Sequence, residues 1–165
     1  MDENRDIIIR YTENEDAPFL KNWLEEPGVL RWFPMQDPLE LEDAIKHWIG
    51  FSRYKCSLTA VDKGVPCGLS TLYLMPYRKV AHQCLFSIIV EKEHRRKGVG
   101  TLLLNNIIHL AKEQFRLDYL YLEVYEGNPA ITLYDKFGFK EVGRQPHFIK
   151  EDGEYLGKII MEKAI

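Results

Sequence analysis

Residues 84–104, CLFSIIVEKEHRRKGVGTLLL, carry side chains whose types and order suit binding of a phosphate group. An apolar, partly β-branched run over 85–90 has the length of a buried central strand. A charged turn over 91–97 leads into Gly98-Val99-Gly100-Thr101 and then a long helical pattern. A strand entering a glycine-containing turn that opens a helix is a general anion-binding device. The first helical turn leaves N–H groups without partners, and the helix dipole favours negative charge there. Glycines lack the Cβ that would hold a ligand away from those N–H groups. Arg95, Arg96 and Lys97 add positive charge at the same mouth. Residues 95–101 therefore read as a pyrophosphate cradle, against the plainer reading of a strand-to-helix turn with a solvated basic cluster.

The cradle is not a Walker loop, because no G-x-x-x-x-G-K-[ST] occurs. Nor is it the dinucleotide fingerprint, since Leu103 stands where the third glycine would be. A second reactive candidate lies in YLYLEVY, residues 119–125. Strand alternation puts Leu120, Leu122 and Val124 on one face and Tyr119, Tyr121, Glu123 and Tyr125 on the other. A glutamate mid-strand in a line of tyrosines is an unusual place for a solvated carboxylate. It is either a base or the structural partner of a tyrosine hydroxyl or a lysine. Cys56, Cys67 and Cys84 have no metal-ligand spacing and read as buried thiols, so no metal site is expected.

Periodicity supplies the elements that hold these groups. A first strand spans 7–11, and a helix over 13–26 carries Ala17, Leu20, Trp23 and Leu24 on one stripe until Pro27-Gly28 ends it. The aromatic loop VLRWFPMQDP follows, in which Trp32 and Phe33 plug the core edge, wall an acceptor pocket, or do both. A second helix spans 39–53. Strands over 56–61 and 65–75 flank the turn Asp62-Lys63-Gly64 and lead to the central strand. After the long helix and the 119–125 strand comes a short helix over 129–137, with Asn128 as N-cap, Pro129 at its first position and Gly138 as its stop. Two last strands over 139–149 and 155–161 complete the order β, α, α, three strands, α, β, α, β, β: an α/β sandwich in one domain, residues 1–165.

Two motifs in this order resemble the GNAT superfamily of N-acetyltransferases. The first is [RQ]-x-x-G-x-[GA], here Arg95-Arg96-Lys97-Gly98-Val99-Gly100. The second is a strand followed by N-x-x-A-x-x-L-Y-x-x-x-G-F, matched by Asn128, Ala130, Leu133, Tyr134, Gly138 and Phe139. One residue, not two, separates Asn128 from Ala130, and Arg96 stands where the family often has glycine. The resemblance covers residues 5–163. It implies a mixed central sheet with helices on both faces, whose neighbouring parallel strands 84–90 and 119–125 splay apart at their C-terminal ends. It also implies acetyl-CoA as cosubstrate, with pantetheine against Ile88, Ile89 and Val90 and the pyrophosphate on the amides of Arg95, Arg96, Lys97, Gly98, Val99, Gly100 and Thr101. Asn128 joins the cofactor site, and Tyr134 is the general acid for the departing thiolate. Glu123 is the implied base, with Glu91 as second choice. The reaction implied is acetyl transfer to a primary amine by direct attack in a ternary complex. The rival is a non-catalytic acyl-CoA-binding module of the same fold.

Composition sets the outer bounds. The chain has 165 residues, 45% of them apolar and 28% charged, which suits one soluble domain with a sizeable core. A net charge of −3 argues against nucleic acid as partner. The acidic start MDENRD and the lack of an 18-residue apolar run predict no signal peptide, no membrane span and a cytoplasmic location. The resemblance places acceptor choice in residues 25–42 and the last hairpin. Their acidic side chains (Glu25, Glu26, Asp37, Glu40, Glu42, Glu151, Asp152, Glu154) would suit a small cationic amine or a basic peptide or protein amine. Whether two copies pair as a homodimer stays open.

Overall fold

The computed structural model describes residues 6–165, so the first five residues of the acidic start lie outside the described residues. Seven strands form one mixed sheet: β1 Ile8–Tyr11, β2 Ser57–Asp62, β3 Val65–Tyr73, β4 Gln83–Val90, β5 Tyr119–Tyr125, β6 Lys140–Glu151 and β7 Glu154–Ala164. Their spatial order is β1-β2-β3-β4-β5-β7-β6, with β4 and β5 parallel and every other neighbouring pair antiparallel. The crossover from β4 to β5 is made by α3, Val99–Glu113. The expected α/β architecture is present, with helices on both faces.

Each face carries its own core. On one side α3 presses Leu103, Leu104 and Ile107 onto Cys84, Phe86, Leu120 and Leu122, joined by Tyr134 and Phe139 from the chain around α4, Ile131–Lys136. On the other, α1 (Ala17–Leu24) and α2 (Pro38–Gly50) pack Leu20, Trp23, Ile45 and Ile49 against Leu69 and Ile89. Complete removal of a leucine or isoleucine side chain from water contributes about 1.5–3 kcal/mol, so these stripes hold the helices. Gly68 sets the spacing of α3 from the sheet. A Cβ there would lie 2.9 Å from Leu103 Cδ1 and 3.1 Å from the Ile89 carbonyl, so a larger residue would force the Leu103 side chain and the β4 backbone to shift.

Three helices differ from expectation at their boundaries, and several strands end a few residues from where periodicity placed them. The first helix begins as a 3-10 turn, Asn14–Asp16, and becomes α-helical at Ala17, where Pro18 suits the first turn. The second helix ends at Gly50, and Phe51–Tyr54 tighten into another 3-10 turn. The short helix is regular only from Ile131. Asn128 Oδ1 still accepts the Ala130 N–H at 2.9 Å, so it closes a turn leading into the helix and is not the helix's N-cap. The three cysteines are buried, as expected.

Candidate active site

The site begins where a ladder stops. β4 and β5 pair through three positions only, Gln83 with Tyr119, Cys84 with Leu120 and Leu85 with Tyr121. Both strands continue, but each follows its other neighbour: β4 stays in register with β3 as far as Val90, and β5 with β7 as far as Tyr125. The parallel pair thus parts where each strand keeps its antiparallel neighbour. The Glu91 N–H is bound to the Cys67 carbonyl of β3 at 2.9 Å. By strand alternation the Val90 N–H and C=O then face the opening. The Val90 carbonyl takes Arg95 Nε at 3.0 Å. A cavity of about 630 Å³ fills the opening and reaches through to the α1–α2 side of the sheet.

At one end of the opening lies the glycine turn. Arg96 and Gly98 adopt left-handed backbone, φ 59° and 83°, which aims the chain into α3. The first helical bond runs from the Leu102 N–H to the Gly98 carbonyl, leaving the N–H groups of Val99, Gly100 and Thr101 ahead of the ladder. A Cβ on Gly98 would meet nothing within 4 Å; one on Gly100 would touch Leu133 Cδ2 at 3.5 Å and Val90 Cγ2 at 3.8 Å. The three basic residues behave differently from one another. Arg95, though exposed, lines the cavity with its Nη2 2.8 Å from Glu26 Oε2, while Lys97 Nζ donates to the Glu93 carbonyl and Arg96 is exposed. His94 pins the turn to the β2–β3 hairpin, Nδ1 on Glu91 and Nε2 on Asp62 at 3.0 Å.

Tyr134 and Asn128 stand at the edge of the opening with Ala130. Tyr134 is 7% exposed and meets the rings of Phe86 and Phe139 edge-on at 6.3 and 6.2 Å. Burial pushes its pKa well above the ordinary phenol value. The hydroxyl therefore keeps its proton at neutral pH.

The far side of the cavity is aromatic. Phe33 and Trp48 meet edge-to-face at 6.0 Å, and Phe33 both packs on the α1–α2 core and lines the cavity. Glu123 lines the cavity from β5, and Lys158 Nζ of β7 lies 3.2 Å from its Oε1. Lys158 is 8% exposed and also sits 3.8 Å over the Phe148 ring. Burial, with the charge of Glu123 adding to it, pushes Tyr125 up to about 12 and Tyr121 upward too. Glu91, the second candidate base, does not line the cavity and holds His94.

Sequence reasoning did not single out Lys158, or the trio Tyr73, Ser87 and His47. The Tyr73 hydroxyl and Ser87 Oγ are 2.7 Å apart, and the His47 ring stacks on Tyr73 at 5.5 Å. The available signals were a lysine inside the apolar run LGKII and a serine inside LFSII. The acidic residues expected to attract a cationic acceptor are engaged elsewhere. Glu25 pairs with Lys21, Glu26 with Arg95 and Glu42 with Lys46, while Asp37 and Glu40 form the capping box of α2. None of these, nor Glu151, Asp152 or Glu154, lines the cavity.

Comparison with known proteins follows the same lines. The sequence profile of the acetyltransferase (GNAT) family matches residues 17–139. An N-alpha-acetyltransferase of Sulfurisphaera tokodaii is 43% identical over 89 residues, 53% of this chain and 52% of that protein, so the match takes in about half the relative's length. The L-amino acid N-acetyltransferase AaaT of Escherichia coli is 24% identical over 160 residues, 96% of this chain and 98% of that protein. The structure of yncA from Salmonella typhimurium, solved with acetyl-CoA, superposes with a TM-score of 0.79 at 18% identity, covering 96% of this chain and 94% of that one. At that identity the likeness is one of fold.

Proposed function

The chain belongs to the acetyltransferase (GNAT) family, and on that premise we propose that it transfers an acetyl group from acetyl-CoA to a primary amine by direct attack, with both substrates bound at once. The observation that carries this reading is the three-pair ladder between β4 and β5, with Tyr134 and the open amides of α3 at its rim. The residues fit the cosubstrate. The Val90 backbone faces the opening as a strand edge suited to an amide-bearing arm, and the open space at Gly98 allows an anion to approach the N–H groups of Val99, Gly100 and Thr101. Ile88, Ile89 and Val90 would line the arm, Arg95, Arg96 and Lys97 would balance phosphate charge, and Asn128 would close the rim.

Acetyl-CoA, when bound, supplies an activated acetyl group and a thiolate leaving group. The chain's own part has three elements. The Val90 N–H is placed to donate to negative charge developing in the opening. Tyr134, kept protonated by burial, donates its proton to the thiolate. Glu123, on the opposite wall, receives the amine and takes the proton that the amine must lose.

A thiol-release assay with acetyl-CoA over a panel of amines tests the reading. Tyr134→Phe should lower kcat about 10²-fold, the usual scale for loss of a general acid, with KM for acetyl-CoA within twofold. An unchanged kcat removes Tyr134 from the chemistry. Cofactor binding with no thiol release from any amine assigns the chain to the non-catalytic class.

A further inference from the structure

Resting on the transfer reading, we infer that the acceptor is an α-amine beside a large apolar or aromatic side chain, carried by an amino acid or by the first residue of a peptide. Three observations lead there. The acceptor end of the cavity is walled by Phe33, Trp48, Tyr73, Tyr121, Tyr125 and Phe148. These rings hold one another in place, Phe33 on Trp48 at 6.0 Å and Tyr125 on Phe148 at 5.9 Å. A preset aromatic wall gains most from an apolar group and loses little side-chain freedom in accepting it.

Charge narrows the class. Among the described residues that line the cavity, Glu123 is the one carboxylate, and Lys158 already offsets it at 3.2 Å. The acidic residues of α1 and α2 are held in caps and ion pairs outside the cavity. A polyamine would place a second and third ammonium among rings with no counter-ion, and an unpaired buried charge is costly.

The proton is the third observation. A neutralised Glu–Lys pair exerts little field to drive a strongly basic ammonium to its neutral form. At pH 7 a peptide α-amine with pKa about 8 is neutral in roughly one molecule in ten, whereas a lysine side chain at about 10.4 is neutral in roughly one in 2,500. The site suits the amine that needs least help.

Initial rates of thiol release by the whole chain with acetyl-CoA test this. The amines are phenylalanine, methionine, alanine, aspartate, spermidine and Nα-acetyl-lysine, with peptides beginning in the same four α-amino residues. The apolar α-amines should exceed alanine by about 100-fold in kcat/KM, the scale of several methylenes in a fitted pocket. Spermidine and Nα-acetyl-lysine should fall below them by a similar factor. The free and peptide arms show which source carries the amine. Phe33→Ala should reduce the preference for phenylalanine over alanine at least about tenfold with KM for acetyl-CoA unchanged; the parent panel decides alone should that variant not fold. Spermidine or Nα-acetyl-lysine as best acceptor, or α-amines within threefold of one another, overturns this inference and leaves the transfer reading standing. Thiol release from none of the amines overturns both.

Discussion

Glu123 and Lys158 invite a double-mutant cycle, because one residue faces the cavity and the other is buried behind it. The Lys158 side chain is 10% exposed and the Glu123 side chain 36%. Breaking a fully buried ion pair from one side costs about 3–5 kcal/mol. Here solvent reaches Glu123 and screens the pair, and the Phe148 ring 3.8 Å from Lys158 Nζ retains about 1 kcal/mol of attraction for the stranded cation. Glu123→Ala should therefore cost about 2 kcal/mol. For a chain of this size that lowers Tm by about 4–8 °C. Adding Lys158→Met replaces the stranded charge with an apolar chain of similar length and should return Tm to within about 3 °C of the parent. Activity should not return with it. If Glu123 receives the amine, kcat/KM stays about tenfold down in both variants, a modest loss because an α-amine needs only about 1 kcal/mol to reach its neutral form. Thermal unfolding and thiol release on the same preparations supply both readouts. A Tm unmoved by Glu123→Ala would show that the pair contributes nothing to stability. Full recovery of rate in the double variant would make Glu123 structural.

Two further outcomes follow from the cradle and from the buried phenols and thiols. Gly100→Glu is expected to fold well: its Cβ meets only ordinary contacts at 3.5 and 3.8 Å, it replaces a helical glycine, and an acidic residue suits the first turn of a helix. The same carboxylate should remove the rise in Tm that acetyl-CoA gives the parent, and a retained rise would place the cradle elsewhere. Alkaline pH should destabilise the chain. Burial raises Tyr73, Tyr121, Tyr125 and Tyr134 above the ordinary 10, and raises Cys56 from 9.0 to about 11 and Cys84 from 9.0 to about 12. The unfolded chain then releases protons that the folded chain retains, so this stability is complete below about pH 9 and declines as pH rises through 9–12. A Tm constant from pH 8 to 11 would contradict the burial of these groups.

What the sequence made legible was what is local. The strand, glycine turn and helix of residues 84–104 are neighbours in the chain, so their order was readable there, and Gly98 does adopt a positive φ. The alternation of 119–125 likewise placed Tyr121, Glu123 and Tyr125 on one face, and all three line the cavity. The opening between β4 and β5 depends on registers with β3 and β7, so it was reachable through family resemblance and not through periodicity. Lys158 reaches Glu123 only because β7 pairs with β5, a contact 35 positions away in the chain (158 − 123). The acidic residues of 25–42 could be counted in the sequence but not placed. The capping box Asp37-Pro38-Leu39-Glu40 was readable as a helix start, yet its charges were counted as attraction for a cationic acceptor.

The three-pair ladder has a mechanical side. It divides the sheet into a four-strand panel, β1 to β4, and a three-strand panel, β5, β7 and β6, fastened at one end like the boards of a book. The aromatic wall of Phe33 and Trp48 rides with the first panel, because α1 and α2 pack on Leu69 and Ile89. Glu123, Tyr125 and Phe148 ride with the second. A small change of angle at the spine would thus alter both ends of the cavity together, and in the same sense. Close-packed interiors transmit such strain. Substitutions at Cys84 and Leu120, both 0% exposed and paired at the spine, could retune catalysis without touching either substrate.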